Sequence, residues 1–439
     1  IITIDHSTLV LCTAQYMSIS HKNIGIIILE HESSSGYKMI ARPHFDLRIF
    51  VELFASKVGA KFILGDTLLR FETIARRELD GLVPLVPLSF RLDFAGEIKI
   101  LGREEKKFKV LLNQSIQQIK STIERKENVF IFSLRKGLAT MTICRDCNEA
   151  VLCDKCHAPV VLYLSSSGKK RIYSCNRCKR EIDPKLICRN CGSWNLMPLG
   201  IGTDTVSEHV RELVNLGELS QNTKVFKLDK ESAKNAKGAE KIIKEFVENP
   251  GSILVGTEMA FSYINEKVPL SVIASFDSLW SIPNFKMSEK VIHIVNGIMQ
   301  NTREKIIIQT KNDKDGVLLA IKNSNLLSFA REELDDRRNL GYPPYKRFIK
   351  VIYVGDKEKT LQARNMIEES LAEYSPEVFS GFMPKVIGKY STNALIKIAP
   401  EKWSLPEISP NGVIEENLYN KLQSLPFPFQ VIVDPEDLL

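Results

Sequence analysis

Much that would announce a function at a glance is missing from these 439 residues. No uninterrupted apolar stretch approaches the roughly 20 residues that a membrane helix needs. The first residues, IITIDHSTLVLC, lack the basic head, long apolar run and small-residue cleavage site of a secretory signal. A cytoplasmic location, with no membrane partner, is the expectation. There is no low-complexity segment, and no internal repeat other than one short cysteine unit. Strong charge is missing too: a formal net charge of +7 leans toward polyanions, but far less than the dense basic stripe of a dedicated nucleic-acid binder. Outside the stretch from Cys144 to Cys191 cysteine is almost absent, Cys12 being the only one of nine that lies elsewhere. The chain opens on Ile rather than Met, which leaves room for a preceding segment.

What is present is ordinary globular material, 44% hydrophobic and long enough for two or three domains, each with its own core. GIIIL (from Gly25) and KFILG (from Lys61) are apolar runs of strand length, as expected for strands covered on both faces. Between them FDLRIFVELFASKV, from Phe45, has helical spacing. A helix near Gln114 to Lys126 and the strand VFIFSL from Val129 begin a second α/β unit, which the cysteines interrupt. The alternation resumes with strands at KVFKLD, SILVGT, SVIASF and KIIIQT, and with a helix over Ala239 to Val247 stopped by Asn-Pro-Gly. Strands and helices in alternation predict a parallel sheet with the cysteine module inserted in it. A charged helix, FAREELDDRR, then runs into LGYPPY, where Gly341 and the prolines end it. From Lys346 a smaller α+β domain is expected, with strands near RFIKVIYV, ALIKIA and FQVIVD.

The eight clustered cysteines form four C-x-x-C pairs: Cys144/Cys147, Cys153/Cys156, Cys175/Cys178 and Cys188/Cys191. In a reducing compartment such pairs serve as metal ligands or redox centres before they serve as disulfides. Each puts two sulfurs on one side of a tight knuckle, and two facing knuckles supply the tetrahedral shell that Zn²⁺ prefers. A redox dithiol or an iron–sulfur cluster would draw on the same residue type, but four regular pairs with no leftover favour two closed, structural zinc sites. The 18 residues between the second and third pairs suit a zinc ribbon, whereas the five between the first and second leave little room for those knuckles to oppose each other. Nested pairing is therefore expected, with Cys144, Cys147, Cys188 and Cys191 around one Zn²⁺ and Cys153, Cys156, Cys175 and Cys178 around the other. His157 is expected on the surface or in packing rather than as a ligand. Lys169, Lys170, Arg171, Arg177, Lys179 and Arg180 decorate the module, which carries five more Lys and Arg than Asp and Glu. Two Zn²⁺ with eight thiolates would reduce that excess to about +1. These residues suit either a solvated surface or a local contact with nucleic acid or a partner.

The run from FSLRKGLATMTICRDCNEAVLCDKC to CRNCGSWNLMPLGIGTDTVSEHV resembles the primosomal replication-restart helicase family PriA (primosomal protein N′). In that family an eight-cysteine, two-zinc module sits in the second RecA-like lobe and is followed by a G-I-G-T segment, here Gly200 to Thr203. KLDKES, ILVGTEM, FDSLWSIPNF, REELDDRRNLGYPPY and VDPEDLL follow in the family's order. The resemblance implies a partial RecA-like first lobe over residues 1–110 and the start of a second over 111–143. The zinc insertion would span 144–196, the rest of the second lobe 197–312, the linker helix with its GYPPY turn 313–345, and the C-terminal α+β domain 346–439. It further implies a DNA-binding protein of replication restart, driven in the family by ATP-dependent translocation. Its substrate would be forked or branched DNA with single-/double-strand junctions, and its partners single-strand-binding protein and helicase-loading primosome proteins. DNA contacts would fall on Arg135 and Lys136, on the basic clusters of the module, on Lys346 and Arg347, and on Thr203 and Thr257 of the Gly-Thr segments. Gly200, Gly202 and Thr203 could equally serve only as the turn back into the lobe.

The parts that would hold ATP and Mg²⁺ do not carry over. There is no loop ending Gly-Lys-Thr, which an upstream segment would account for. The family's Asp-Glu-Glu-His falls on Glu30-His31-Glu32-Ser33, or one residue earlier on Leu29-Glu30-His31-Glu32, and neither register restores the Asp-Glu pair. Its Gly-Ser-Ala-Thr becomes Gly65-Asp66-Thr67-Leu68, and the Lys-Gly of its fifth motif becomes Ser262-Tyr263. The double-arginine motif becomes VNGIMQNTREK, in which Arg303 is the only arginine. An arginine finger can be worth about 10³- to 10⁵-fold in turnover because it neutralises charge in the transition state. The preferred expectation is a non-catalytic, zinc-containing platform for DNA and partners, with no catalytic or nucleotide-binding residues assigned. A truncated 3′-to-5′ DNA helicase and a zinc-ribbon interaction protein without nucleic acid are the alternatives.

Overall fold

The computed structural model describes residues 9–16, 23–39, 44–79, 82–85, 92, 94–103, 109–134, 141–144, 146–147, 149, 151–154, 160–164, 171–175, 181–182, 187–199, 201–281, 284–381, 390–405, 411–436 and 438. The chain divides into two units, one built from Ile1–Phe90 with Leu327–Leu439 and the other from Arg91–Leu326.

In the first unit the runs GIIIL and KFILG form strands β1 (Ile26–Glu30) and β2 (Lys61–Gly65), joined by helix α1 (Leu47–Val58). The strands pair in parallel from Ile26↔Lys61 to Glu30↔Gly65. Asp46 caps α1 by accepting from the Arg48 N–H, and Gly59 ends it at φ 71°, where a side chain would be strained. Leu47, Val51 and Ala55 of α1 bury against Ile27 and Leu29. Helix α2 (Phe71–Leu79) follows.

The second unit carries β3 (Glu97–Gly102), α3 (Asn113–Glu124) and β4 (Val129–Phe132). Next come the module strands β5 (Met141–Cys144), β6 (Val160–Leu164), β7 (Arg171–Cys175), β8 (Glu181–Ile182) and β9 (Leu196–Leu199). Then follow α4 (Thr203–Asn215), β10 (Val225–Leu228), α5 (Ala236–Val247), β11 (Ile253–Gly256), β12 (Val268–Ile273), α6 (Met287–Gln300), β13 (Thr302–Thr310) and α7 (Gly316–Lys322). The main sheet has the order β10-β11-β4-β12-β13-β3 and is parallel throughout. Strands β4, β11 and β12 are buried at every position, which is why they read as continuous apolar runs instead of alternating ones. The architecture is mixed α/β and consistent with a RecA-like lobe. Strand β3 differs from expectation: residues 97–102, left with the first lobe on sequence, pair with β13 from Glu97↔Lys305 to Gly102↔Thr310, and Leu101 enters this core. Helix α5 begins three residues earlier than its apolar spacing suggests, because Asn235 accepts from the Gly238 N–H and starts it there.

Helix α8 (Leu326–Asn339) ends where Gly341 turns to φ 63° and the Tyr342 N–H reaches back to the Arg337 carbonyl. Beyond it lie β14 (Arg347–Gly355), α9 (Lys357–Ser370), β15 (Glu377–Gly381), β16 (Tyr390–Ile398), α10 (Glu416–Ser424) and β17 (Gln430–Val433). The strands make an antiparallel sheet in the order β15-β16-β14-β17, with Ala363 and Ile367 of α9 and Leu418 and Leu422 of α10 packed on Ile349, Val351 and Ile396. Among the described residues no helix is long and apolar enough to cross a membrane.

Candidate metal centre

Pairing of β5 with β9, Cys144 opposite Leu196, brings the two ends of the inserted module together across about fifty residues of sequence. The first and fourth cysteine pairs meet there. Cys144, Cys147, Cys188 and Cys191 place their sulfurs within 4.8 Å of one another. Cys144 Sγ lies 3.4 Å from Cys191 Sγ, and Cys147 Sγ 3.5 Å from Cys188 Sγ. Each pair is a tight turn closed by its own backbone. The Cys144 N–H donates to the Glu149 carbonyl, the Cys188 N–H to the Ser193 carbonyl and the Gly192 N–H to the Cys188 carbonyl. A tetrahedral Zn²⁺ with sulfurs at about 2.3 Å needs S···S edges of roughly 3.8 Å, so this donor set is compatible with zinc with little adjustment. Two of the four sulfurs titrate far apart. The backbone N–H of Glu149 and the Asn190 amide lower the Cys147 pKa to about 7. At Cys191 the Ser193 backbone works in the same direction, but the Cys144 sulfur, burial and the other two thiols outweigh it and push the value up to about 12. Clustered thiols resist ionising together without a cation.

Cys153 and Cys175 are both fully buried in the same small core, with Val151, Val160 and Tyr173. They too are compatible with zinc; Cys156, Cys178 and His157 lie outside the described residues.

The expected nucleic-acid contacts scatter. Arg135, Lys136, Lys169, Lys170, Arg177, Lys179, Arg180 and Gly200 lie outside the described residues, and of Arg171 only the backbone, at the start of β7, is described. Thr203, expected along a DNA strand, opens α4 with its side chain buried, and its hydroxyl donates to Asp229 Oδ2 at 2.7 Å. That hydroxyl faces the interior. Sequence spacing missed the network behind it. The Lys227 ammonium lies 2.7 Å from Asp204 and 3.3 Å from Asp229, and Asp229 also accepts from the backbone N–H groups of Glu231 and Ser232. Burial raises the Asp229 pKa, but those amides, Thr203 and Lys227 prevail and hold it at about 2. The Asp-Lys-Glu-Ser turn is the signal that could have found it. Thr257 is half-buried and caps a short helical turn by accepting from the Met259 N–H. Lys346 is exposed and lines an open cleft of about 520 Å³ with Lys397, Lys402, Glu373 and Glu415. Arg347 is occupied within its own domain by the Trp403 carbonyl and, at 3.5 Å, by Asp434.

At the end of β1, His31 sits in the left-handed region at φ 53° and Glu32 turns fully inward. Glu32 Oε1 accepts from the Arg70 N–H at 2.6 Å, while Oε2 accepts from Arg70 Nε at 2.9 Å and Thr73 Oγ1 at 3.0 Å. Arg48 Nη1 donates to the Glu32 carbonyl at 2.8 Å. In the other register the position of the metal-holding Asp falls on Leu29, which is buried in the core. Within VNGIMQNTREK, Ile298 and Met299 are buried, and Arg303 is ion-paired with Glu127 and Glu304 while donating to the Lys267 carbonyl.

The folds and the cysteine cluster define an α/β protein with a cysteine module compatible with zinc. No family profile matches the chain. Curated relatives do. Replication restart protein PriA of Chlamydia pneumoniae is 24% identical over 375 residues, covering 81% of this chain and 49% of the relative. That of Synechocystis is 24% identical over 424 residues, covering 90% and 50%, and that of Bacillus subtilis 25% over 339 residues, covering 74% and 40%. The chain is similar to these PriA replication restart proteins, and it spans about half the length of the curated relatives it matches.

Proposed function

We propose that this chain is a DNA- and partner-binding platform of replication restart and primosome assembly that does not hydrolyse ATP. The broken Asp-Glu pair at the end of β1 carries the reading. In-line attack on a γ-phosphate needs a carboxylate free to orient water, together with Mg²⁺ and a cation for the developing charge. Here the water-orienting position is His31 in one register and the metal-holding position is the buried Leu29 in the other, so the exposed Glu30 stands without its partner in either, and Arg303, the arginine of its segment, is already paired with two glutamates. The division into lobes, zinc insertion and C-terminal domain is part of the same proposal. So is a second Zn²⁺, held by Cys153, Cys156, Cys175 and Cys178, which would supply folding free energy and no reaction step. DNA of forked or branched form would be met by basic residues spread over separate modules, with single-strand-binding protein and helicase-loading proteins as companions. The test is a steady-state ATPase assay with and without forked DNA. No turnover together with fork binding that weakens as salt rises supports the platform, since phosphate contacts release counterions. DNA-stimulated turnover above about 1 s⁻¹, within the usual range of enzymes, overturns it in favour of a helicase.

A further inference from the structure

One knuckle of the metal centre carries a side chain that its packing does not explain. Trp194 follows Cys191 by three residues and is 76% exposed, whereas the chain's other two tryptophans, Trp280 and Trp403, are half-buried. An indole left in water forgoes about 2 kcal/mol or more of burial, so such a position is informative. The backbone beneath it is fixed. Asp146, on the opposite knuckle, accepts from the Ser193 hydroxyl and, at 2.9 Å, from the Asn195 amide, so the residues on both sides of Trp194 are tied to one carboxylate. The Asn195 N–H adds a bond to Ser193 Oγ at 2.9 Å, and the Leu196 N–H one to the Trp194 carbonyl at 2.8 Å, while the Leu196 side chain is buried in the module core. The four-sulfur cluster anchors the same turn. The indole is thus presented to solvent on a rigid base, which lowers the entropy lost when it is engaged.

We infer that Trp194 is a stacking platform for an unpaired base of single-stranded DNA. The inference rests on the DNA-binding reading above and names a contact within it. Its neighbours in the chain, Arg189, Asn190, Gly192, Ser193 and Asn195, are polar or small, with Arg189 exposed and Ile187 a single exposed aliphatic further back. A protein-docking tryptophan would be expected inside a larger apolar patch, as hot-spot residues are. With zinc bound the module is close to neutral, at about +1, so the contact rests on the open π-face that base stacking needs, with the exposed Arg189 near it in the chain.

Because Trp194 is the only strongly exposed tryptophan, its fluorescence reports the contact directly. Titration with oligothymidylate is expected to quench emission in the wild-type chain, and Trp194→Phe is expected to abolish the quenching while keeping most of the affinity. Trp194→Ala is expected to weaken binding of labelled single-stranded DNA about five- to a hundredfold, as loss of one stacked base does. Metal content in both variants should equal that of wild type. Should DNA bind all three chains equally, with no quenching in wild type, the stacking role falls and the platform reading stands. Should no chain bind forked or single-stranded DNA at any salt concentration, the platform reading falls and takes this inference with it. If Trp194→Ala loses metal, the wild-type quenching and the Trp194→Phe affinity still decide the matter.

Discussion

Replacing Glu32 asks whether that carboxylate is a structural ion or a remnant of catalysis. It is fully buried and accepts three hydrogen bonds, two of them from Arg70, whose side chain is 21% exposed. Burial works against the Arg70 charge, but Glu72, Glu32 and Asp46 hold its pKa above the ordinary value. Breaking a wholly buried ion pair from one side costs about 3–5 kcal/mol. Arg70 keeps Glu72 at 3.1 Å and some contact with water, so Glu32→Ala belongs at the low end, about 3 kcal/mol. Glu32→Gln keeps an acceptor for the Arg70 N–H but loses the charge-assisted bonds, at about 1.5–2 kcal/mol. A double-mutant cycle with Arg70→Met should recover a coupling of about 1.5 kcal/mol. Two units make global unfolding a poor gauge. Hydrogen exchange in β1, β2 and α2 measures the local effect instead. A coupling under about 0.5 kcal/mol, the usual error of additivity, refutes the structural assignment. Unchanged protection accompanied by loss of a DNA-stimulated ATPase makes Glu32 catalytic.

Cys188→Ser should remove about one metal ion per chain and unfold the β5–β9 end of the module, read by metal analysis and far-UV dichroism; full metal retention rejects the first-with-fourth pairing. Thr203→Val should destabilise the second unit by about 1–2 kcal/mol through the lost bond to Asp229 while leaving DNA affinity unchanged. A drop in affinity at wild-type stability would return Thr203 to the DNA path. The depressed pKa of Asp229, about 2 against an ordinary 3.8, sets a pH window. A group lowered by folding adds stability that is complete above its unfolded value and disappears as pH falls through its folded one. The second unit should therefore lose stability between about pH 4 and pH 2, and Asp229→Asn should flatten that slope. An equal acid slope in the variant assigns the effect to other carboxylates.

The sequence by itself determined the local elements. VFIFSL, SILVGT and SVIASF become buried central strands because a strand covered on both faces must be apolar at every position, and that signature needs no knowledge of the partner strands. Gly341 ends α8 for an equally local reason, a backbone conformation few other residues adopt. The C-x-x-C spacing announced metal chemistry because two sulfurs on one turn are local as well. The tertiary structure alone decided which carboxylates and cations meet. Glu32 and Arg70 are separated by 38 residues and Arg303 and Glu127 by 176, and β3 joins the second unit through a strand more than two hundred residues further on. Nothing in a hydropathy pattern distinguishes a glutamate that turns inward onto an arginine from one that waits in solvent. That depends on where the fold sets down a distant side chain.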